Sequence, residues 1–364
     1  MSHANSPRPA GPAGRADLAG RADLAGLDLA RYLAFVGMVI VNFTIVMGAE
    51  GGTGPARQII ELFEGRAAAT FVVLAGLGLG LAHARTGATN TRTTLKRAAV
   101  LLVLGLVNML VFPADILHYY AFYFLFGAWL LPLSTRALLW AVGLLNLAFV
   151  VLILTLDYDS GWAWDDYSYT GFWTPAGFLR NLLFNGWHPV VPWLGFLLFG
   201  VVLARLPLAD PRTQRRLALA GLAALLGGWA LSTGLTRWLA PLGPELAELL
   251  TTAPIPPMPL YTLAGLGAAS LTIGLCLLAE RHLTAWGVLP QVAPAGRQTL
   301  TLYIAHILIG MGALEALGLI GGQTPDAALL AALLFCAAAT LYARLWEPFA
   351  GRGPLEALLR RLAG

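Results

Sequence analysis

The sequence predicts an all-α fold, a polytopic membrane helix bundle of about ten transmembrane helices with both termini on the cytoplasmic side. Three observations carry this reading. Hydrophobic residues make up 58% of the 364-residue chain and charged residues only 12%, roughly half the share in a soluble domain, with a mean hydropathy of +0.71. Apolar runs of bilayer length recur from end to end. The arginines fall almost entirely on one side when those runs are threaded back and forth through a bilayer.

Residues 1–26 are rich in Ala, Gly, Pro and Arg, with GRADLA in tandem at 14–19 and 20–25. They lack the continuous apolar core of a signal peptide and read as a disordered cytoplasmic tail. The bundle is expected over 27–350, with spans near 29–48, 67–85, 98–113, 116–134, 137–156, 189–206, 216–238, 259–279, 299–319 and 326–346. In hydrocarbon a backbone must pair its own polar groups, so each run should be helical. Residues 351–364 read as a cytoplasmic C-terminal tail. With the N-terminus inside, 19 of the 23 Lys and Arg lie on the inner side, leaving only Arg57, Arg66, Arg180 and Arg237 outside. That bias sets orientation and places the basic residues beside membrane lipid. The pI of 9.3 therefore does not indicate nucleic acid, because the basic residues form short clusters between apolar runs. Cys276 and Cys336 sit within apolar runs as small hydrophobes, and no metal-ligand or disulfide spacing appears.

Ionisable and amide side chains in or beside the spans are the functional candidates. In FPADILHYYAF at 112–122, Asp115 and His118 are three residues apart and share a helix face. A carboxylate can orient that imidazole for general base catalysis. Alternatively, Asp115 caps an interfacial helix. In FNGWHPVVPW at 184–193, Asn185, Trp187, His188 and Trp193 are expected to line a pocket for a polar substrate, the competing reading being a Pro-started helix with interfacial aromatics. Asn42 shares a face of the first helix with Arg31 and either positions a substrate carbonyl or bonds a neighbouring helix. Thr299, Tyr303 and His306 form a stripe on the ninth helix, where His306 is a packing histidine or a relay. The long segment 157–188 carries Asp157, Asp159, Asp165, Asp166 and four tryptophans, and either anchors at the interface or covers an outer cavity. Gly76, Gly78 and Gly80 fit close helix packing better than a phosphate loop.

The motifs LDLARYLAFVGMVIVN (27–42), EGRAAATFVVLAGLGLGL (64–81), ADILHYYA (114–121), FNGWHPVVPWLGFLLFGVVLARL (184–206), AGRQTLTLYIAH (295–306) and GRGPLEALLRRL (351–362) resemble the YeiB family of bacterial membrane proteins, domain-of-unknown-function family 418. More distantly the chain is similar to transmembrane acyltransferases such as heparan-alpha-glucosaminide N-acetyltransferase. The resemblance implies a multi-pass protein of the bacterial cytoplasmic membrane. It also implies acyl transfer from cytoplasmic acyl-CoA to an extracytoplasmic small molecule or glycan, without a metal. Asn42 matches the acetyltransferase's functional asparagine. The histidine that follows there is replaced here by GAEGGTG at 48–54, which leaves His118, oriented by Asp115, or His188 as the base. The chain also departs from its relatives at Tyr32, where they usually carry glycine, and at His306, where glutamine is frequent. Arg31, Arg97, Arg205 and Arg297, at inner helix ends, would hold the CoA phosphates. Two other readings compete: a transporter or lipid-handling protein without covalent chemistry, and a structural membrane protein. Oligomeric state is left open.

Overall fold

A computed structural model describes residues 24–86, 91–243, 247 and 249–364. The expected tail at 1–26, with Arg8, Arg15 and Arg21, lies almost wholly outside them. The chain is an all-α bundle whose one sheet, among the described residues, is a two-stranded hairpin. The helices in order are α1 (Ala25–Val46), α2 (Pro55–Phe63), α3 (Arg66–Thr86), α4 (Thr91–Asn108), α5 (Leu117–Leu130) and α6 (Thr135–Thr155). The hairpin β1 (Trp162–Ala163) and β2 (Ser168–Tyr169) follows, then α7 (Pro175–Arg180), α8 (Val190–Leu203), α9 (Pro211–Leu239), α10 (Pro259–Ala285) and α11 (Leu289–Arg297). The chain ends with α12 (Thr299–Ala316), interrupted by a π turn at His306–Met311, α13 (Pro325–Ala350) and α14 (Pro354–Ala363).

Every expected span coincides with a helix, but the number of clear spans is smaller than ten. Among the described residues seven helices are long and apolar enough to cross a membrane, or eight if a bent pair counts as one span. The runs near 98–113 and 116–134 become α4 and α5, of 18 and 14 residues. The first opens on Arg92, Lys96 and Arg97, and the second is shorter than a bilayer requires.

The bent pair corrects the outer segment 157–188, which is a loop only as far as Thr174. There the hydroxyl accepts from the Gly177 N–H at 3.1 Å and Pro175 occupies the first turn, so α7 starts. A π turn at Asn181–Asn185 carries the chain to a break at Gly186–Pro189, and α8 leaves at 52° to the first half. Side chains of α5 pin this break: Tyr119 donates to Asn181 Oδ1 at 2.6 Å and Tyr123 to the His188 carbonyl at 2.5 Å.

α8 is the central post, with 12 of its 14 residues buried. It lies so close to α3 that a Cβ at Gly76 would overlap the Leu197 carbonyl, and one at Gly200 the Val73 carbonyl. Gly76 and Gly80 of α3 thus serve close packing, whereas Gly78 faces the other way. Trp140, Leu147 and Leu154 on α6 and Trp229 and Trp238 on α9 are exposed, forming the outward apolar faces a bilayer would cover. At the C-terminus α13 stops at Gly351, which takes the left-handed conformation (φ 64°), and α14 folds back against α4. Glu356 of α14 caps the start of α12, accepting from the Leu300 N–H at 2.7 Å and the Thr301 N–H at 3.1 Å. The bundle thus has an arginine-rich end, where α14 docks, and an opposite end that bears the hairpin loop.

Candidate functional site

A cavity of about 100 Å³ opens at the loop-bearing end between α1, α3 and the break before α8. Asn42, Trp187, His188, Trp193 and Tyr303 supply its polar wall, and Met38, Ile116 and Ile255 part of its apolar one. His188 packs edge-on against Trp193, with ring centroids 4.6 Å apart. His188 Nδ1, Trp187 Nε1 and Trp193 Nε1 are all buried without a hydrogen-bond partner among the described residues. Buried polar atoms are rarely left so, and three around one cavity mark a place where a polar ligand or water belongs.

Asn185, expected at the pocket, does not line it. Its amide donates to the carbonyls of Tyr158 at 2.7 Å and Ser160 at 2.9 Å, and Oδ1 accepts from Tyr169 at 2.8 Å. Its backbone carbonyl accepts from Trp162 Nε1 at 2.6 Å. All of its capacity goes into fastening the hairpin over the break. Trp162 in turn packs edge-on against Trp187, and the loop covers this end of the bundle.

Asp115 and His118 stand behind the cavity rather than on its surface, both with 0% side-chain exposure. Asp115 Oδ2 accepts from the backbone N–H of Leu117 at 2.7 Å, which opens α5, and lies 3.4 Å from His118 Nδ1. Asp115 Oδ1 accepts from Asn108 at 2.7 Å and from the Tyr303 hydroxyl at 3.3 Å. Asp115 therefore starts the helix and faces the imidazole as well. His118 Nε2 has no hydrogen-bond partner among the described residues. α4 approaches the start of α5 this closely because Gly105 has no Cβ to strike the His118 backbone. Tyr119 contacts both histidine rings, with centroids 3.8 Å from His118 and 5.9 Å from His188. Tyr303, from the stripe on the ninth helix, joins the group, as do Asn108 and Tyr119, which the sequence reading had not singled out. An asparagine inside the run at 98–113 was the available signal for Asn108.

The second cavity, about 550 Å³, lies at the arginine-rich end and is lined by Arg31, Gly78, His83, Thr94, Arg97 and Leu359 among others. Two of the four expected phosphate ligands meet there. Arg97 is exposed and forms no ion pair among the described residues, while Arg31 pairs with Asp28 at 2.5 Å. Arg205 and Arg297 do not line it. Arg205 donates to the Leu131 and Leu133 carbonyls at 3.0 and 2.8 Å, tying α8 to the end of α5. Arg297 pairs with Asp28 at 3.1 Å and with Glu347. Among the described residues no three of His, Cys, Asp and Glu gather as a metal site requires.

Two family models match the chain. The model for the heparan-alpha-glucosaminide N-acetyltransferase catalytic domain covers residues 24–234, and that for a protein of unknown function (DUF418) covers 202–364. No curated protein and no solved structure matches it. The resemblance read from the motifs holds, with a division they did not show: the stretches from 27 to 206, including both histidine motifs, fall under the acetyltransferase model, and the later ones under the other. The chain is a multi-pass membrane protein of transmembrane acyltransferase type, and it belongs to the heparan-alpha-glucosaminide N-acetyltransferase catalytic family.

Proposed function

We propose that the protein takes an acyl group from acyl-CoA at the arginine-rich end, on the cytoplasmic side, and passes it to a small-molecule or glycan acceptor at the loop-bearing end. The observation that carries this is that α1 lines both cavities, with Arg31 at one and Asn42 at the other. Eleven residues of helix separate them by about 16 Å, within reach of the extended arm of a CoA thioester. The exposed Arg97 guanidinium and Arg31 suit the donor's phosphates. At the other end the unpartnered nitrogens of Trp187, His188 and Trp193 receive the acceptor, and Asn42 polarises the acyl carbonyl. The proton of the attacking hydroxyl or amine passes from His188 at the cavity wall to His118 behind it, oriented by Asp115, as the thioester C–S bond breaks, and goes on to the departing CoA thiolate. The family match favours this reading over a structural role.

Transfer of radiolabelled acyl groups from acyl-CoA by the purified protein in nanodiscs tests the proposal. The expected outcome is turnover by the parent, a loss of about two to four orders of magnitude in His118→Ala, and thermal protection of both by acyl-CoA. Parental turnover in His118→Ala together with loss in His188→Ala would move the base to His188. One observation favours a second reading: the broken α7–α8 pair is a feature of transporters. Flux of an unmodified solute into liposomes, without acyl-CoA protection, would establish that one instead.

A further inference from the structure

The imidazole of His306 is fully buried at the start of the π turn in α12, and the chemistry above makes no use of it. Both of its nitrogens are engaged. Nδ1 meets the backbone carbonyl of Tyr303, which only accepts, so Nδ1 carries the proton. Nε2 of the neutral ring is then an acceptor, 2.9 Å from Asn42 Nδ2. An asparagine amide has two nearly isosteric orientations, and its neighbours decide between them. Here one N–H of Asn42 is committed to His306. The second N–H and Oδ1 remain for the cavity that Asn42 lines. The π turn supplies the local reason for the placement, since such insertions re-aim side chains and recur at functional sites.

We propose that His306 is a positioning residue: by accepting from Asn42 it holds the amide in one orientation and presents the remaining N–H to the transferring acyl carbonyl. This rests on the acyl-transfer reading. A spectroscopic and a kinetic arm test it together. In ¹⁵N-histidine solid-state NMR of the reconstituted protein, Asn42→Leu should move the His306 Nε2 resonance; an unchanged resonance overturns the pairing. In the transfer assay His306→Leu should lower kcat about tenfold with the KM for acyl-CoA unchanged, the signature of a bond that matters in the transition state. His306→Gln, whose side-chain oxygen can accept the same bond, should recover to within about twofold of the parent. A folded His306→Leu with parental kcat, or a Gln variant as slow as Leu, overturns the positioning role while acyl transfer stands. A parent that transfers nothing removes the acyl-transfer reading itself, and positioning with it.

Discussion

The two cavities along α1 differ in size and in what lines them. At the arginine-rich end about 550 Å³ is bounded by a glycine, small polar groups, the docked α14 and the exposed Arg97, which forms no ion pair among the described residues. At the loop-bearing end about 100 Å³ is walled by two indoles and one imidazole whose buried nitrogens lack partners among the described residues. A large flexible anion suits the first, and a single functional group held in one geometry suits the second. Binding at the roomy end should respond to charge and salt. Chemistry at the tight end should respond to sub-ångström placement.

The sharpest way to break the comparison lies on α3, which packs tightly on one face and lines the roomy cavity on the other. Gly76→Leu must drive a side chain into the α8 backbone, whereas a Cβ at Gly78 meets only Arg31 Nη2 at 4.0 Å. Gly76→Leu is expected to cost about 3 kcal/mol or to prevent folding, the upper range for overpacking. Gly78→Leu should leave the melting temperature unchanged and weaken acyl-CoA binding about tenfold by filling the cavity. Thermal unfolding in detergent reads both. A parental melting point for Gly76→Leu would refute the close approach of α3 and α8.

A smaller effect separates the arginines. Arg97→Gln should weaken acyl-CoA binding about tenfold, the scale of one charge-assisted bond, and flatten its salt dependence. Arg297→Gln should leave affinity unchanged and cost at most about 1 kcal/mol of stability, because that guanidinium is half-exposed and already paired with Asp28 and Glu347. Titration calorimetry at two ionic strengths distinguishes them. Equal losses of affinity in the two variants would place the donor away from the cavity.

The same contrast shows what the sequence made legible. Apolar runs marked the ten long helices, since hydrocarbon permits little else, but not the short α2, α7, α11 and α14, and the resemblance identified the family. The broken helix escaped because TPAGFLRNLLFNGW mixes Arg180, Asn181 and Asn185 into a short run, the mark of a loop. Tertiary bonds from Tyr119 and Tyr123 hold it as the first half of the bent pair. Arginine positions along the chain were plain, but counter-ions were not. Arg31 and Arg97 meet at a cavity, while Arg205 and Arg297 go to a helix end and an ion-pair cluster. Asn185 beside Trp187 and His188 had the composition of a pocket wall. Its hydrogen bonds are consumed by loop carbonyls separated from it by more than twenty residues. Asn42 and His306, read apart on the first and ninth spans, prove to be partners.

The smallest expected effect compares two exposed carboxylates, one at each end. Asp210 accepts from the Arg212 N–H at 3.1 Å and caps α9; Asp166 accepts from the Ser168 N–H at 3.0 Å and closes the hairpin turn. Those bonds favour the ionised forms and hold both carboxyls below the usual carboxylate range, Asp210 chiefly through the Arg212 N–H and Asp166 chiefly through the Ser168 side chain. A carboxyl whose folded value is depressed stabilises above its unfolded value, near 4, and loses that contribution as pH falls through its folded value. Asp210→Ala should therefore melt slightly below the parent at neutral pH, and the gap should close as the pH drops below about 4. Asp166→Ala should show the same pH trend in protease nicking of the hairpin, with no change in acyl-CoA affinity, because its bond serves the acceptor end alone. A gap that persists unchanged at low pH would mean that helix propensity rather than the charged cap separates the Asp210 variant from the parent.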